Sequence, residues 1–123
     1  MEFLTSDRFK VLSNPGVVSV QLLSPHNSAS TRVTVTRVTV EPGAEQAPHI
    51  HASSEQVWVA VSGSGTLLLA EDATHAFSAG DVARFADGDL HGFLNTGSEP
   101  FVYLSVTSPP IDFSYAYASP PGN

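Results

Sequence analysis

The stretch that decides the fold runs from residue 49 to residue 56 and reads His-Ile-His-Ala-Ser-Ser-Glu-Gln. Side chains alternate across a β-strand with period two, so His49 and His51 project from the same face of a strand, whereas a helix would point them apart. A third histidine, His91, follows much later in the chain. Because the chain has no cysteine, imidazoles and carboxyl or amide oxygens must supply any metal site. The pattern predicts a strand that presents two imidazoles to one metal ion.

The composition is that of one globular domain with an acidic surface. The 123 residues are enough for a substantial core, and 41% of them are hydrophobic. Five basic residues against twelve acidic ones give a formal charge of −7, which argues against nucleic acid and anionic membranes as partners. No apolar run is long enough for a membrane span, and the first ten residues lack the apolar core of a signal peptide. We therefore expect a cytoplasmic protein.

The local signals along the chain are almost all those of β-strands. Nine glycines and nine prolines separate short segments rich in Val, Thr and Phe. These segments predict strands at residues 17–23, 31–41, 46–51, 56–61, 66–70, 75–78, 82–85, 91–95 and 101–107. Many short strands with closely spaced turns and no helix predict an all-β sandwich or closed barrel.

Two segments depart from a simple strand pattern. Within residues 31–41, Val33 and Val35 share one face of a strand while Val38 and Val40 share the other, which predicts a bulge or two halves that bury opposite faces. Residues 108–123, after a core barrel at about residues 15–107, form a tail rich in proline and aromatic residues. This tail could cover the barrel or a partner subunit, or its last residues could be loosely ordered.

Two groups of residues resemble the paired motifs of the cupin family. The first motif, which combines glycines with His-X-His and an acidic residue, is matched by Gly43, His49, His51, Gln56 and Gly63. The second motif is matched by Gly80, Gly88, His91 and Asn95, although Ala86 stands where the family usually has proline. The resemblance covers about fifty residues and implies a double-stranded β-helix, or jelly-roll barrel, with a metal ion inside.

The acidic position of the first motif is ambiguous in this chain. Counting back from Gly63 places Gln56 there, whereas counting forward from His51 with the shorter family spacing places Glu55 there. Period two prevents both side chains from facing the metal on a regular strand, and the strand with its closing turn fixes the register better than the loop before it. We therefore favour metal ligation by His49, His51, Gln56 and His91. An amide in place of a carboxylate would leave the metal its full charge and favour anionic ligands.

Other candidate residues are assigned mainly to structural roles. His26 and His75 are expected at the surface, Arg84 in an outward salt bridge, and Asn95 in hydrogen bonds to the backbone. Trp58 should share the inward face with Gln56, either beside the metal or as an ordinary core residue. Further candidates for general acid or base are Glu55, if it swings inward, and the hydroxyl of Tyr103. The catalytic residues stay unknown at this point.

The resemblance implies a pocket for a small molecule and one divalent transition metal, with Zn, Ni, Fe, Mn or Cu all compatible with imidazole ligands. The expected function is that of an enzyme on a small oxygenated or acidic metabolite, of dioxygenase, isomerase or lyase type. The alternative is a non-catalytic cupin that binds a small molecule, as a sensor does. A homodimer is expected, partly from the family resemblance and partly from the phase change in residues 31–41 and the aromatic tail.

Overall fold

The computed structural model describes residues 1–112. Ten antiparallel strands and two short 3-10 helices, Ser6–Arg8 and Ala70–Asp72, make up the regular structure of this range. The strands are β1 (Lys10–Asn14), β2 (Val17–Leu23), β3 (Thr34–Val40), β4 (Glu45–His49), β5 (Glu55–Ser62), β6 (Ser64–Leu69), β7 (Thr74–Ser78), β8 (Val82–Phe85), β9 (His91–Leu94) and β10 (Phe101–Ser108). No helix among the described residues has the length and apolar character that crossing a membrane requires.

The strands form two facing sheets. One has six strands in the order β1-β2-β3-β10-β5-β8, and the other has four in the order β4-β9-β6-β7. Neighbours that are distant in sequence, such as β3 and β10, pair over their whole length, so the chain winds as a jelly roll. The predicted all-β, double-stranded β-helix fold is confirmed. Nine of the strands were predicted within a few residues, and β1 was missed.

The hydrophobic core lies between the two sheets. Its buried aromatic residues include Phe77, Phe93 and Phe101, which contact one another at ring-centroid distances of 4.3–6.4 Å. Gly65 lies against the ring of Phe93, where a side chain would not fit. This packing fixes the spacing of the sheets, and other core residues, Trp58 and Tyr103 among them, also line a cavity.

The predicted phase change in the third strand is wrong. β3 alternates without interruption, and Thr34, Thr36, Val38 and Val40 all face inward. Val35 lies half-buried on the outer face, and the register shift of this region is in β2, between Gln21 and Leu23. The prediction failed because it assigned the inward face to valines, whereas threonines occupy that face in the first half of the strand.

The tail was expected from residue 108 to residue 123. Ser108 ends β10, and the peptide bond to Pro109 is cis. The aromatic residues of the tail, Phe113, Tyr115 and Tyr117, lie outside the described residues, so the role predicted for them is untested.

Candidate metal centre

Three histidines converge on the inner surface of the barrel. His49 ends β4 and pairs directly with His91, the first residue of β9, while His51 follows in the next loop. One ring nitrogen from each lies within 4.8 Å of the others. The ring centroids are 4.5–5.4 Å apart, and His51 and His91 are buried. The sequence-predicted histidines are therefore brought together in space.

Backbone carbonyl groups fix which nitrogen of two rings points to the cluster. The Nδ1 atom of His49 lies 2.9 Å from the carbonyl oxygen of Ala47, and Nδ1 of His91 lies 2.8 Å from that of Asp89. A carbonyl only accepts, so each contact is a hydrogen bond when Nδ1 carries the proton of the neutral ring. The Nε2 atoms of both rings then keep their lone pairs. This arrangement is typical of histidines that bind a metal.

The turn before His91 connects the two motifs. The backbone N–H of Gly88 donates to the carbonyl oxygen of His51 at 2.8 Å, and Gly88 adopts φ +83°. This left-handed conformation favours glycine because a Cβ atom would be strained there. Asp89 closes the turn by accepting the N–H of Ala86 on its carboxylate. The turn therefore holds His51 and His91 in register although proline is absent from residue 86.

Burial keeps two of the imidazoles neutral. It lowers the pKa of His51 from its ordinary value of 6.5 to about 4, and the nearby charge of His49 adds to the effect. Burial also lowers the pKa of His91 to about 4, against the opposing hydrogen bond to Asp89. Neutral imidazole is the form that binds metal ions, so at neutral pH both rings are ready to act as ligands.

Gln56 lies inside the barrel, in contact with the cluster. It is 3% exposed, and its Nε2 donates to the hydroxyl of Thr107 at 3.0 Å. Its Oε1 accepts the indole N–H of Trp58 at 3.1 Å and lies 2.8 Å from Nε2 of His91. Because the indole nitrogen can only donate, it fixes the amide oxygen, not the amide nitrogen, toward His91.

The contact between Gln56 and His91 brings two acceptors together. When the neutral ring of His91 carries its proton on Nδ1, it donates to the carbonyl oxygen of Asp89. Its unprotonated Nε2 then faces Oε1 of Gln56, and neither atom has a hydrogen to donate. The other neutral tautomer would only move the same conflict to the carbonyl of Asp89. A metal ion bound by both atoms would remove the conflict, as would a second proton on the ring.

Glu55 points to the outside. Its carboxylate pairs with the guanidinium of Arg84, at 3.1 Å from Nε and 2.8 Å from Nη2. The strand therefore alternates as period two requires, with Gln56 inward and Glu55 outward. The outward salt bridge predicted for Arg84 is confirmed. In this conformation Glu55 has no access to the cluster as an acid or base.

The positions of His26, His75 and Asn95 also agree with the predictions from the sequence. His26 and His75 are exposed, and His26 pairs with Asp112 at 3.6 Å. Asn95 is buried, and its amide donates to the carbonyl oxygens of Val40 and Glu99 at 2.9 Å each. These predictions are confirmed.

A cavity of about 420 Å³ adjoins the cluster. His49, His51 and Gln56 form one side of it, and Trp58 and Tyr103 form an aromatic wall with ring centroids 4.3 Å apart. The Tyr103 hydroxyl donates to Oε1 of Gln46 at 2.6 Å. The size suits a small organic molecule.

Sequence reasoning missed several residues of this cavity, Gln46, Ser19, Thr36 and Ser105 among them. Strand alternation alone would have placed the last three on the inward face. No motif marks these residues, and hydrophobic patterning does not single out polar side chains of a barrel interior.

The comparisons agree with this fold. The cupin domain family matches residues 36–107, and the chain belongs to the cupin family. A Klebsiella pneumoniae protein described as an uncharacterized conserved protein with a double-stranded β-helix domain is 26% identical, with TM-score 0.74 over 89% of this chain and 91% of that one. No protein of curated function matches the sequence.

Two further structures are similar in fold. A predicted oxalate decarboxylase from Thermotoga maritima has TM-score 0.75 at 20% identity, covering 88% of this chain and 99% of that one. The polyketide cyclase RemF from Streptomyces resistomycificus also has TM-score 0.75 at 20% identity, covering 88% and 79%. At this identity the likeness shows the fold alone.

Proposed function

We propose that this cupin is a metal-dependent enzyme that acts on a small oxygenated or acidic metabolite, with chemistry of dioxygenase, isomerase or lyase type. The observation that carries the proposal is the convergence of three imidazole nitrogens within 4.8 Å at the wall of a cavity of about 420 Å³. Imidazoles gathered beside a pocket combine a metal site with room for a substrate.

The residues fit one divalent transition metal. His49, His51 and His91 would hold it through neutral imidazoles, and Gln56 would add its amide oxygen. The two acceptors that face each other at 2.8 Å, Nε2 of His91 and Oε1 of Gln56, support this donor set. Zn, Ni, Fe, Mn and Cu all accept such ligands.

The chain's own residues would bind and orient the substrate beside the metal. When bound, the metal would supply a Lewis acid, or a redox centre if it is iron, manganese or copper. Trp58 and Tyr103 offer an apolar surface, and Gln46 fixes the Tyr103 hydroxyl at the cavity. That hydroxyl is the candidate we favour for moving a proton, because Glu55 faces outward.

The test of the proposal is the metal content of the protein. Elemental analysis of protein purified without a metal-affinity tag should find about one transition metal per chain. We expect that His49→Ala and His91→Ala each reduce this content at least about tenfold, since each removes one ligand. His75→Ala, an exposed histidine outside the cluster, is the matched control. If the variants of His49 and His91 bind as much metal as the wild type, the site assignment fails.

The alternative is a non-catalytic cupin that binds a small molecule, as a sensor does. One observation favours it: Glu55, the acid or base candidate that follows the His-X-His pair, is engaged by Arg84 on the outside. Azide addition to the cobalt-substituted protein distinguishes the two functions. A change in the visible spectrum indicates an exchangeable coordination position, as an enzyme needs, and an unchanged spectrum favours the binding protein.

The cytoplasmic location and the homodimer stay predictions. Exposed apolar side chains on β1 and β2, Val11 and Val18, support an association of two copies through this edge of the larger sheet.

A further inference from the structure

The barrel interior has a polar half that the metal cluster does not use. Ser105 of β10 pairs with Thr36 of β3, and Thr36 pairs with Gln21 of β2, so the three side chains form one row across the inner face of the six-stranded sheet. Thr34 lies next to this row on β3. We call these four residues the polar wall. All four are buried, with at most 4% of each exposed.

The polar wall lacks hydrogen-bond partners within the part of the chain that is described. The hydroxyls of Thr34, Thr36 and Ser105 and both amide atoms of Gln21 are buried without a partner. Thr107, the neighbouring inward residue on β10, differs because its hydroxyl accepts the amide of Gln56. Buried polar side chains are normally paired, so a row of unpaired ones indicates groups that await a partner from outside the fold.

The polar wall is continuous with the cavity beside the histidines. Thr36 and Ser105 line that cavity together with Ser19, and His49 and His51 line it too. Serine and threonine hydroxyls are short and reorient by one χ1 rotation, which can direct them into the cavity. A ligand held at the histidine cluster can therefore extend to Thr36 and Ser105, the two residues of the polar wall that line the cavity.

The chemistry of the wall selects the kind of group it would bind. Hydroxyls and a carboxamide both donate and accept hydrogen bonds, and none of them carries a charge. No lysine or arginine occurs among the described residues that line the cavity. An anionic end of a ligand would find no counter-charge there, whereas a hydroxyl-bearing end finds donors and acceptors in alternation.

We propose that the polar wall is a second subsite, which binds the neutral, polyhydroxylated end of the substrate while its acidic or oxygenated end lies at the histidines. This assignment rests on the proposed function and names its substrate class. The substrate is then a polyol or a sugar-like acid, not an aliphatic or dicarboxylic one.

The experiment compares two acids of equal chain length, D-gluconate, which carries hydroxyls along its chain, and hexanoate, which carries none. Titration calorimetry on the wild type, both metal-loaded and metal-free, should show tighter binding of gluconate than of hexanoate. The variant Thr36→Val/Ser105→Ala should weaken gluconate binding about tenfold and leave hexanoate unchanged, because two hydroxyl contacts are lost. Thr39→Val is the matched control, since Thr39 lies on the other face of β3 and is not among the residues that line the cavity.

A second measurement does not depend on ligand binding. If the hydroxyls serve a ligand, the metal-free double variant should melt at an equal or higher temperature than the wild type. A marked fall in melting temperature would show that the hydroxyls support the fold and would overturn the proposal. Binding of neither acid to the wild type, or equal affinity for both acids, would overturn it too.

The outcomes separate the two proposals. Normal metal content without preference for gluconate rejects the polar subsite and leaves the proposed function intact. Absence of metal rejects the proposed function, and the comparison of acids in metal-free protein then decides the subsite alone.

Discussion

The stability of the metal-free protein should fall as the pH falls from 7 to 5. Burial lowers the pKa of His51 and of His91 from 6.5 to about 4. Between these values the unfolded chain binds more protons than the folded one, so acid favours unfolding. From pH 7 to pH 5, the linkage relation gives a loss of about 1.8 kcal/mol in the free energy of unfolding for each histidine. His51 lines the open cavity, so water screens part of this effect, and halving it leaves about 2 kcal/mol for the pair.

Urea unfolding of chelator-treated protein at pH 7 and pH 5, at constant ionic strength, measures this loss. The single tryptophan, Trp58, is buried and packs 5.3 Å from the His91 ring, so its fluorescence reports unfolding at the site. The double variant His51→Gln/His91→Gln should lose most of the pH dependence. His75→Gln, which changes an exposed histidine, should keep it.

The result that refutes this reasoning is a wild-type free energy of unfolding that changes by less than about 0.5 kcal/mol between the two pH values, against the roughly 2 kcal/mol expected from linkage. A pH dependence that persists in the double variant would also contradict it, because the protons would then bind elsewhere.

Three further outcomes are expected. Gln56→Leu should lower the metal affinity about 10- to 100-fold in equilibrium dialysis. Glu55→Leu should leave it unchanged, because Glu55 pairs with Arg84 outside the barrel. Equal losses of affinity in the two variants would exclude Gln56 as a ligand. Gly65→Ala should lower the free energy of unfolding by about 1–3 kcal/mol, since the added methyl would overlap the ring of Phe93, and urea unfolding that matches the wild type would refute the packing argument. Sedimentation should give twice the 13.0 kDa chain mass, and a monomer at micromolar concentration would exclude the homodimer.

The inward position of Gln56 could be predicted because period two and a closing turn leave little choice of register. The structure places Gln56 inside and Glu55 in a salt bridge outside, as that rule requires. Whether Gln56 binds a metal is a separate question, which the dialysis experiment addresses.

The same rule gives a false phase change in β3 when only its valines are assigned to the interior. Thr34 and Thr36 face inward together with Val38 and Val40. Hydrophobic periodicity does not predict the inward face of a strand where the barrel interior is polar, because it assumes that buried side chains are apolar. The two residues of β3 that the rule misplaces, Thr34 and Thr36, belong to the polar wall that we propose as a binding subsite.

By itself the sequence determined the all-β class, the cupin motifs, and the histidines that form the cluster, because these follow from local alternation, turn residues and spacing. Only the tertiary structure decided what lies opposite the cluster. Gln21, Thr36 and Ser105 are far apart in sequence and carry no motif, and they form one row only because β2, β3 and β10 pair side by side. Long-range strand pairing sets that juxtaposition, and no local pattern in the chain encodes it.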